Sequence, residues 1–267
     1  MKLIIEAGGT KCKWATSQKN IITTTGFSPN TAHIDNLIKL AREVENKLPN
    51  EPDSIIYYGA GCGNSANQQL VKKSLASVFT TNNIRVTSDL EAAGFALWNT
   101  QSGLAAILGT GASAGLYNGN EIENQSPSLG YLLGDEGSGA YLGRELIRSI
   151  VRQQCPTEIS ELFFEQYNLS TTDLIRNVYA AQQPNAYMAS FVPFMAQNCN
   201  NQFINDLLYN SFTLFYNHHI AELKSKSTNL GFVGGVAYTF QSLLKRIIEP
   251  KGFELKFLKD ALSELVK

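Results

Sequence analysis

The feature that most constrains this chain is that it opens twice in the same way. Residues 3–25, LIIEAGGTKCKWATSQKNIITTT, read as an apolar strand, a turn of glycine and threonine, an alternating strand, a tight polar turn and a third strand. Residues 104–124, LAAILGTGASAGLYNGNEIEN, follow the same plan, with Asn118-Gly119 as the tight turn. Identity between the two is weak, but the pattern is that of an internal structural repeat. A chain that begins a three-stranded meander twice has to bury two sheets, and 267 residues suffice for two cores.

Each opening continues into helices and further strands. Ile34, Leu37, Ile38, Ala41, Val44 and Leu48 have helical spacing, and Pro49 stops that helix. SIIYYGAGCGN is a strand running into a glycine loop, and NNIRVTSDLEAAGFALW is a strand that enters a helix at Ser88. After the second meander a helix is expected over residues 140–154, then a helical region over 158–226. NLGFVGGVAYTF reads as strand, Gly-Gly turn and helix, FELKF as a last strand, and residues 259–266 as a closing helix. The polar stretch 99–103 marks the boundary, giving domains 1–101 and 102–267, the second with a helical insertion and a last helix that returns to the first. The expectation is two mixed α/β domains with a ligand cleft between them.

A net charge of −1 gives no electrostatic case for nucleic acid or an anionic membrane surface. The four cysteines are scattered and form no Cys-x-x-Cys, which argues against zinc, an iron–sulfur cluster or a disulfide framework. No apolar run approaches the length of a membrane span, and Met1-Lys2 leads straight into a strand, so the expected location is the cytoplasm.

Three turns have the composition of phosphate-binding loops: Gly8-Gly9-Thr10, Gly109-Thr110-Gly111 and Gly234-Gly235. In each, the chain leaves an apolar strand on glycines, which tolerate positive φ and let backbone N–H groups approach an anion. Thr10 and Thr110 add hydroxyl donors, and Gly234-Gly235 precedes a helix whose first amides favour phosphate. Any one of them is equally a turn that needs glycine for geometry alone. Asp89 closes the strand 84–87 and opens a helix, a position that aims a carboxylate into a cleft. Ser88-Asp89-Leu90-Glu91 is also a capping box, in which the acid has only a structural use. Asp135 and Glu136 lie in a glycine-rich loop ahead of the next helix, where carboxylates suit a neutral sugar's hydroxyls or simply face solvent. Asn30 sits in GFSPNTAH, good turn chemistry in its own right. His218 and His219 are adjacent on a helix, poor geometry for one metal.

Together these motifs carry a resemblance. IIEAGGTK, ILGTGASAGL and GFVGGVAY resemble the two phosphate motifs and the adenosine motif of the sugar kinase/Hsp70/actin superfamily. GYLLGDEGSGAYLGRELI is similar to the signature segment of the N-acetylglucosamine kinase and BadF/BadG/BcrA/BcrD ATPase family, and the motifs run through the whole chain in the expected order. The resemblance implies two duplicated ribonuclease H-like (actin-like ATPase) domains with an interdomain cleft that close on ATP. It implies phosphate and adenosine contacts from Gly8, Gly9, Thr10, Lys11, Gly109, Thr110, Gly111, Gly234 and Gly235, and Mg²⁺ oriented by Glu6. It makes Asp89 the general base and Asn30, Gly130, Asp135 and Glu136 sugar contacts in a homodimeric N-acetylglucosamine kinase. Two residues depart from the pattern: Glu6 stands where the superfamily commonly has Asp, and Leu129 where many family members have Trp. The alternatives on the same fold are an ATPase that activates a partner enzyme, which would need an iron–sulfur cluster, and a non-catalytic sugar sensor, which would usually carry a helix-turn-helix.

Overall fold

The computed structural model describes residues 1–17 and 20–266. The turn expected between the second and third strands falls on residues 18 and 19, outside the described residues. The chain divides into two compact units. One comprises Met1–Ser102, Tyr117–Ile122 and the segment from Asp260 on; the other comprises Gly103–Leu116 and Glu123–Lys259.

The first unit contains β1 (Lys2–Ala7), β2 (Lys11–Thr16), β3 (Ile21–Thr25), α1 (Ile34–Glu45), β4 (Ser54–Gly59), α2 (Ser65–Ala76), β5 (Ile84–Ser88) and α3 (Asp89–Trp98). Its sheet has the order β3-β2-β1-β4-β5. The first three strands are antiparallel, while β1–β4 and β4–β5 are parallel. Leu3, Ile4, Ile5 and Ala7 of β1 are all buried, as a central strand covered on both faces requires. Leu37, Ala41 and Val44 put one face of α1 into this core, with Trp14, Phe27 and Tyr57. His33, at the helix start, caps α1 by accepting from the Asp35 N–H.

The second sheet takes β6 (Gly103–Leu108), β7 (Ala112–Tyr117), β8 (Ile122–Gln125), β9 (Asn229–Val233) and β10 (Glu254–Leu258) in the order β8-β7-β6-β9-β10. This is the strand order of the first sheet. The Asn118-Gly119 turn closes β7 on β8: Asn118 Oδ1 accepts from the Asn120 and Glu121 N–H groups, and Gly119 has φ 100°.

Between β8 and β9, where a helix over 140–154 and a helical region over 158–226 are expected, the chain forms a succession of short helices. They are α4 (Gly130–Leu133), α5 (Gly139–Val151), α6 (Thr157–Tyr167), α7 (Thr171–Ala180), α8 (Pro184–Ala189), α9 (Val192–Gln197) and α10 (Gln202–Phe215). The breaks have local causes: Asn168 is left-handed after α6, and Pro184 and Pro193 sit in the first turns of α8 and α9. α10 widens into a π-helical turn at Tyr216–Ile220 and then tightens into a 3₁₀ turn at Ala221–Ser225. Phe163, Phe194, Phe212, Phe215 and Phe232 are fully buried in this unit's core. Each contributes about 1.5–3 kcal/mol of burial.

α11 (Gly235–Thr239) and α12 (Gln241–Ile248) follow β9. The closing helix is one turn, α13 (Leu262–Leu265), and it packs on α3. Among the described residues no helix is long and apolar enough to cross a membrane.

Candidate active site

Strand register assembles the first unit's motifs at one sheet edge. Ala7 pairs with Gly59, and Gly59 with Ser88. The next residues of the three parallel strands, Gly8, Ala60 and Asp89, therefore leave the same edge, Gly8 and Asp89 being two strand spacings apart, roughly 10 Å. The Ala60 N–H donates to Ala7 O (2.8 Å) and ties the loop after β4 to the end of β1.

The Gly8-Gly9-Thr10 turn closes β1 on β2 with the Gly8 N–H donating to Lys11 O (3.0 Å). The glycine that the geometry demands lies beneath it: a Cβ added at Gly26 would stand 2.4 Å from both Gly8 O and Lys11 N. Glu6 is half-buried and pairs across the hairpin with Lys13. Its Oε2 lies 3.7 Å from Lys13 Nζ, its Oε1 accepts from the Ala261 N–H (3.3 Å), and Lys13 also meets Asp260 at 3.1 Å. Burial pushes the Glu6 carboxyl up, against the pull of Lys13. Glu6, expected to orient Mg²⁺, thus sits in a Glu6–Lys13–Asp260 cluster.

Asp89 opens α3 beside its N-cap Ser88, whose Oγ accepts from the Glu91 N–H (3.1 Å). Only that half of the expected capping box forms, because the Glu91 carboxylate turns to Thr87 and Arg85. An acid at the first helical position is favoured by the helix dipole, and Asp89 Oδ1 accepts from the Leu90 N–H (3.0 Å). Cys62 and Tyr57 both lie within the field of Asp89; burial first, and that charge second, holds the Cys62 thiol up at about 12. Asn30 belongs to the same edge. Its Oδ1 accepts from Asn67 Nδ2 (2.8 Å), which also donates to Gly61 O (2.7 Å), so α2 locks the Asn30 loop onto the loop after β4. Gly61, at φ 79°, leaves room for this: a Cβ there would lie 2.7 Å from Ser28 Oγ.

The second unit brings its motifs together around the end of β6. The Gly109-Thr110-Gly111 turn is closed by the Gly109 N–H donating to Gly111 O (3.0 Å). The first amides of α5 are engaged with it, Gly139 N–H with Gly109 O (2.8 Å) and Ala140 N–H with Thr110 O (3.1 Å). Gly234 has φ 127°, and a Cβ on it would stand 2.3 Å from Leu108 O, so this turn packs directly on the start of the Gly109 turn. Around Gly109 and Gly235 there is open space. The helix after Gly234-Gly235 is only five residues long, so the amides, not a helix dipole, are what that turn offers.

Asp135 faces the same turn. It is buried, left-handed at φ 57°, accepts from the Ala112 N–H, and its Oδ2 would lie 3.1 Å from a Cβ on Gly111. Burial raises its carboxyl to about 6, with Glu136 adding to the rise and Arg144 opposing it. Glu136 points elsewhere, to His218 Nδ1 (3.2 Å) and His219 Nε2 (3.4 Å). Gly130, at φ 73°, starts α4, which Arg144 clamps by donating to Tyr131 O (2.7 Å).

Sequence reading missed Lys13, Asp260 and Asn67, and it set the histidine pair aside as a metal site. Lys13 had a signal, since a hairpin that turns on Gly8-Gly9-Thr10 puts residue 13 opposite residue 6. Asp260 had none, lying at the far end of the chain.

No protein-family profile matches the chain, and no curated protein does. Solved structures do. A candidate N-acetylglucosamine kinase from Porphyromonas gingivalis is 33% identical, superposes with a TM-score of 0.92, and the match covers 100% of this chain and 97% of that one. A second candidate N-acetylglucosamine kinase, from Chromobacterium violaceum, gives 0.73 at 15% identity over 99% of this chain and 97% of that one. The actin-like MreB 5 of Spiroplasma citri, solved with AMPPNP, gives 0.54 at 9% identity over 99% and 92%. The last two establish an α/β ribonuclease H-like fold. The first shows that the chain belongs to the N-acetylglucosamine kinase and BadF/BadG/BcrA/BcrD ATPase family of the sugar kinase/Hsp70/actin superfamily.

Proposed function

We propose that this protein is an ATP-dependent sugar kinase that transfers the γ-phosphoryl group to a hydroxyl, O6, of an amino sugar, with N-acetylglucosamine as the substrate. The observation that carries the reading is the edge shared by the Gly8 turn, the Asn30 loop and Asp89, fixed by strand register and locked by Asn67. Phosphoryl transfer asks little covalent chemistry of a protein; it asks for a held phosphate chain, an aligned hydroxyl and a proton acceptor.

In this reading Thr10, Lys11 and the amides of Gly8, Gly9, Thr110 and Gly111 hold the phosphates, while Gly234 and Gly235 border the adenosine. Asn30, Asp135 and Gly130 contact the sugar, the carboxylate accepting from its hydroxyls. Asp89 takes the proton of the attacking hydroxyl. Glu6 fits magnesium held through water rather than directly, because one oxygen already accepts from Ala261 and the other faces the Lys13 ammonium. When bound, the ion supplies charge neutralisation on the phosphates.

The test is sugar-dependent ADP release with Mg-ATP for wild type and Asp89→Ala, against N-acetylglucosamine, glucosamine, glucose, N-acetylmannosamine and N-acetylmuramic acid. The expected result is stimulation by N-acetylglucosamine that falls about 10²–10⁴-fold in the variant. Absence of stimulation by every sugar, with slow ATP hydrolysis unchanged in the variant, rejects both the activity and the base.

A further inference from the structure

The best-connected side-chain cluster outside the motifs joins the signature loop to the end of α10. Adjacent residues of an α-helix point about 100° apart, so neighbouring histidines do not ordinarily reach one group. Here the π-helical turn at Tyr216–Ile220 changes that spacing, and both rings meet the Glu136 carboxylate, His218 Nδ1 at Oε1 (3.2 Å) and His219 Nε2 at Oε2 (3.4 Å). Such single π turns frequently occur at functional sites.

His219 is fixed on every side. Its ring stacks on Phe215 with centroids 5.1 Å apart, and its Nδ1 lies 2.8 Å from Ser126 Oγ. Ser126 Oγ also lies 3.2 Å from Ala114 O, and Nε2 faces Glu136. Nε2 is buried and reaches Glu136 only at this long distance, with no shorter partner among the described residues. Burial holds the imidazole below its ordinary value against the pull of Glu136, so in the neutral ring Nε2–H donates to Glu136 when Nδ1 accepts from Ser126 Oγ. The loop is pinned a second time at Gly137, where a Cβ would lie 3.0 Å from Phe215 Cβ. Immediately before these two pins the chain takes the left-handed conformation at Asp135 that carries its carboxylate to the Ala112 N–H.

We propose that His218 and His219 are positioning residues that act through Glu136 to hold Asp135 on the Gly109–Gly111 turn. They touch neither sugar nor nucleotide; they set the loop that does. The consequence for sugar binding rests on the kinase reading above, whereas the mechanical coupling does not.

The test separates the two. Amide hydrogen exchange at Ala112 reports the Asp135 bond directly, and Asp135→Ala sets the fully released rate. Glu136→Gln and His218→Ala both change half-exposed or polar contacts and leave the core intact; His219→Gln keeps a donor toward Glu136, against His219→Ala, which does not. Loss of the charge-assisted grip is expected to speed Ala112 exchange about tenfold in Glu136→Gln and His219→Ala. Smaller increases are expected in His218→Ala and His219→Gln, with the Val86 amide of the other unit unchanged in all. In the kinase assay the same variants raise the sugar KM and leave kcat nearly constant. Wild-type Ala112 exchange in folded Glu136→Gln and His218→Ala overturns the inference, whatever the enzyme does. Faster exchange in a protein that no sugar stimulates keeps the coupling and rejects the kinase reading.

Discussion

The two sheets have one strand order and supply their carboxylates in different ways. In the first unit the acids come from strand ends: Glu6 near the end of β1 and Asp89 directly after β5. In the second, the residue at the place of Glu6 is Ile107, and the acid is brought to the turn after β6 by the signature loop, as Asp135. Its fifth strand also leads to an aspartate, Asp260, but that residue belongs to the first unit and pairs with Lys13. The place after the fifth strand thus carries a carboxylate at a helix start in Asp89 and one engaged in an ion pair with Lys13 in Asp260. What the difference teaches is that strand order provides places for acids, and that the neighbours decide what each acid can do.

The sharpest break of this comparison is to neutralise each fifth-strand aspartate. Asp89→Asn keeps shape and helix start but cannot accept a proton, and sugar-dependent ADP release should fall about 10²–10⁴-fold. Asp260→Asn removes an exposed partner of Lys13 and should cost less than about 1 kcal/mol of stability and under tenfold in rate. Equal losses in the two variants would mean that the two fifth-strand positions do not differ in this way.

The glycine turns divide along similar lines. Gly234→Ala places a Cβ 2.3 Å from Leu108 O at φ 127° and should cost about 3 kcal/mol or more, or prevent folding. Gly26→Ala in the first unit meets backbone at 2.4 Å and should behave alike. Gly109→Ala has nothing within 4 Å, so thermal stability should stay within about 1 kcal/mol of wild type while affinity for the ATP analogue AMPPNP drops. A Gly109→Ala protein that is stable and binds AMPPNP normally would show that this turn uses glycine for geometry alone.

Asp135 should also set a pH dependence. Its carboxyl titrates at about 6 in the fold, above the ordinary 3.8, so the folded state holds a proton that the unfolded state releases. Stability therefore declines as pH rises from about 4 to 6 and is flat above, by an amount of order 2–3 kcal/mol. Asp135→Asn should flatten that part of the curve and melt higher than wild type at pH 7.5, while the acid limb of sugar kcat/KM near pH 6 disappears with the activity. A wild-type minus variant difference that does not change between pH 4 and 6 would refute the assignment.

Much of the architecture was legible because it is written in short-range patterns. The two meanders, the Asn118-Gly119 turn and the strand that delivers Asp89 all follow from alternation and turn residues. The stretch 158–226 read as helical without its subdivision, since its breaks depend on Asn168 and on prolines that also suit a first helical turn. His218 and His219 were set aside on α-helical geometry, and the π turn that unites them on Glu136 is a tertiary effect. Glu6 shows the same limit: its chemistry depends on Asp260 and Ala261, which only the folded chain brings near.

The smallest effect concerns two buried phenols, one in each unit. The hydroxyls of Tyr57 and Tyr187 have no hydrogen-bond partner among the described residues. An unsatisfied buried hydroxyl costs of order 1 kcal/mol or more, so Tyr57→Phe and Tyr187→Phe should each hold or raise the melting temperature, by roughly 2–4 °C. The two differ in what surrounds them. Tyr57 runs beneath Gly59, where a Cβ would lie 2.3 Å from its Cε1, and its hydroxyl lies within the field of Asp89. Tyr187 packs edge-on against Phe191 in the helical core. A stability gain in both variants with activity lost only in Tyr57→Phe would mean that the first unit keeps a costly hydroxyl for the sake of Asp89. A gain in both with activity intact would make the two phenols equivalent, and a melting temperature that falls in either would show that its hydroxyl is satisfied after all.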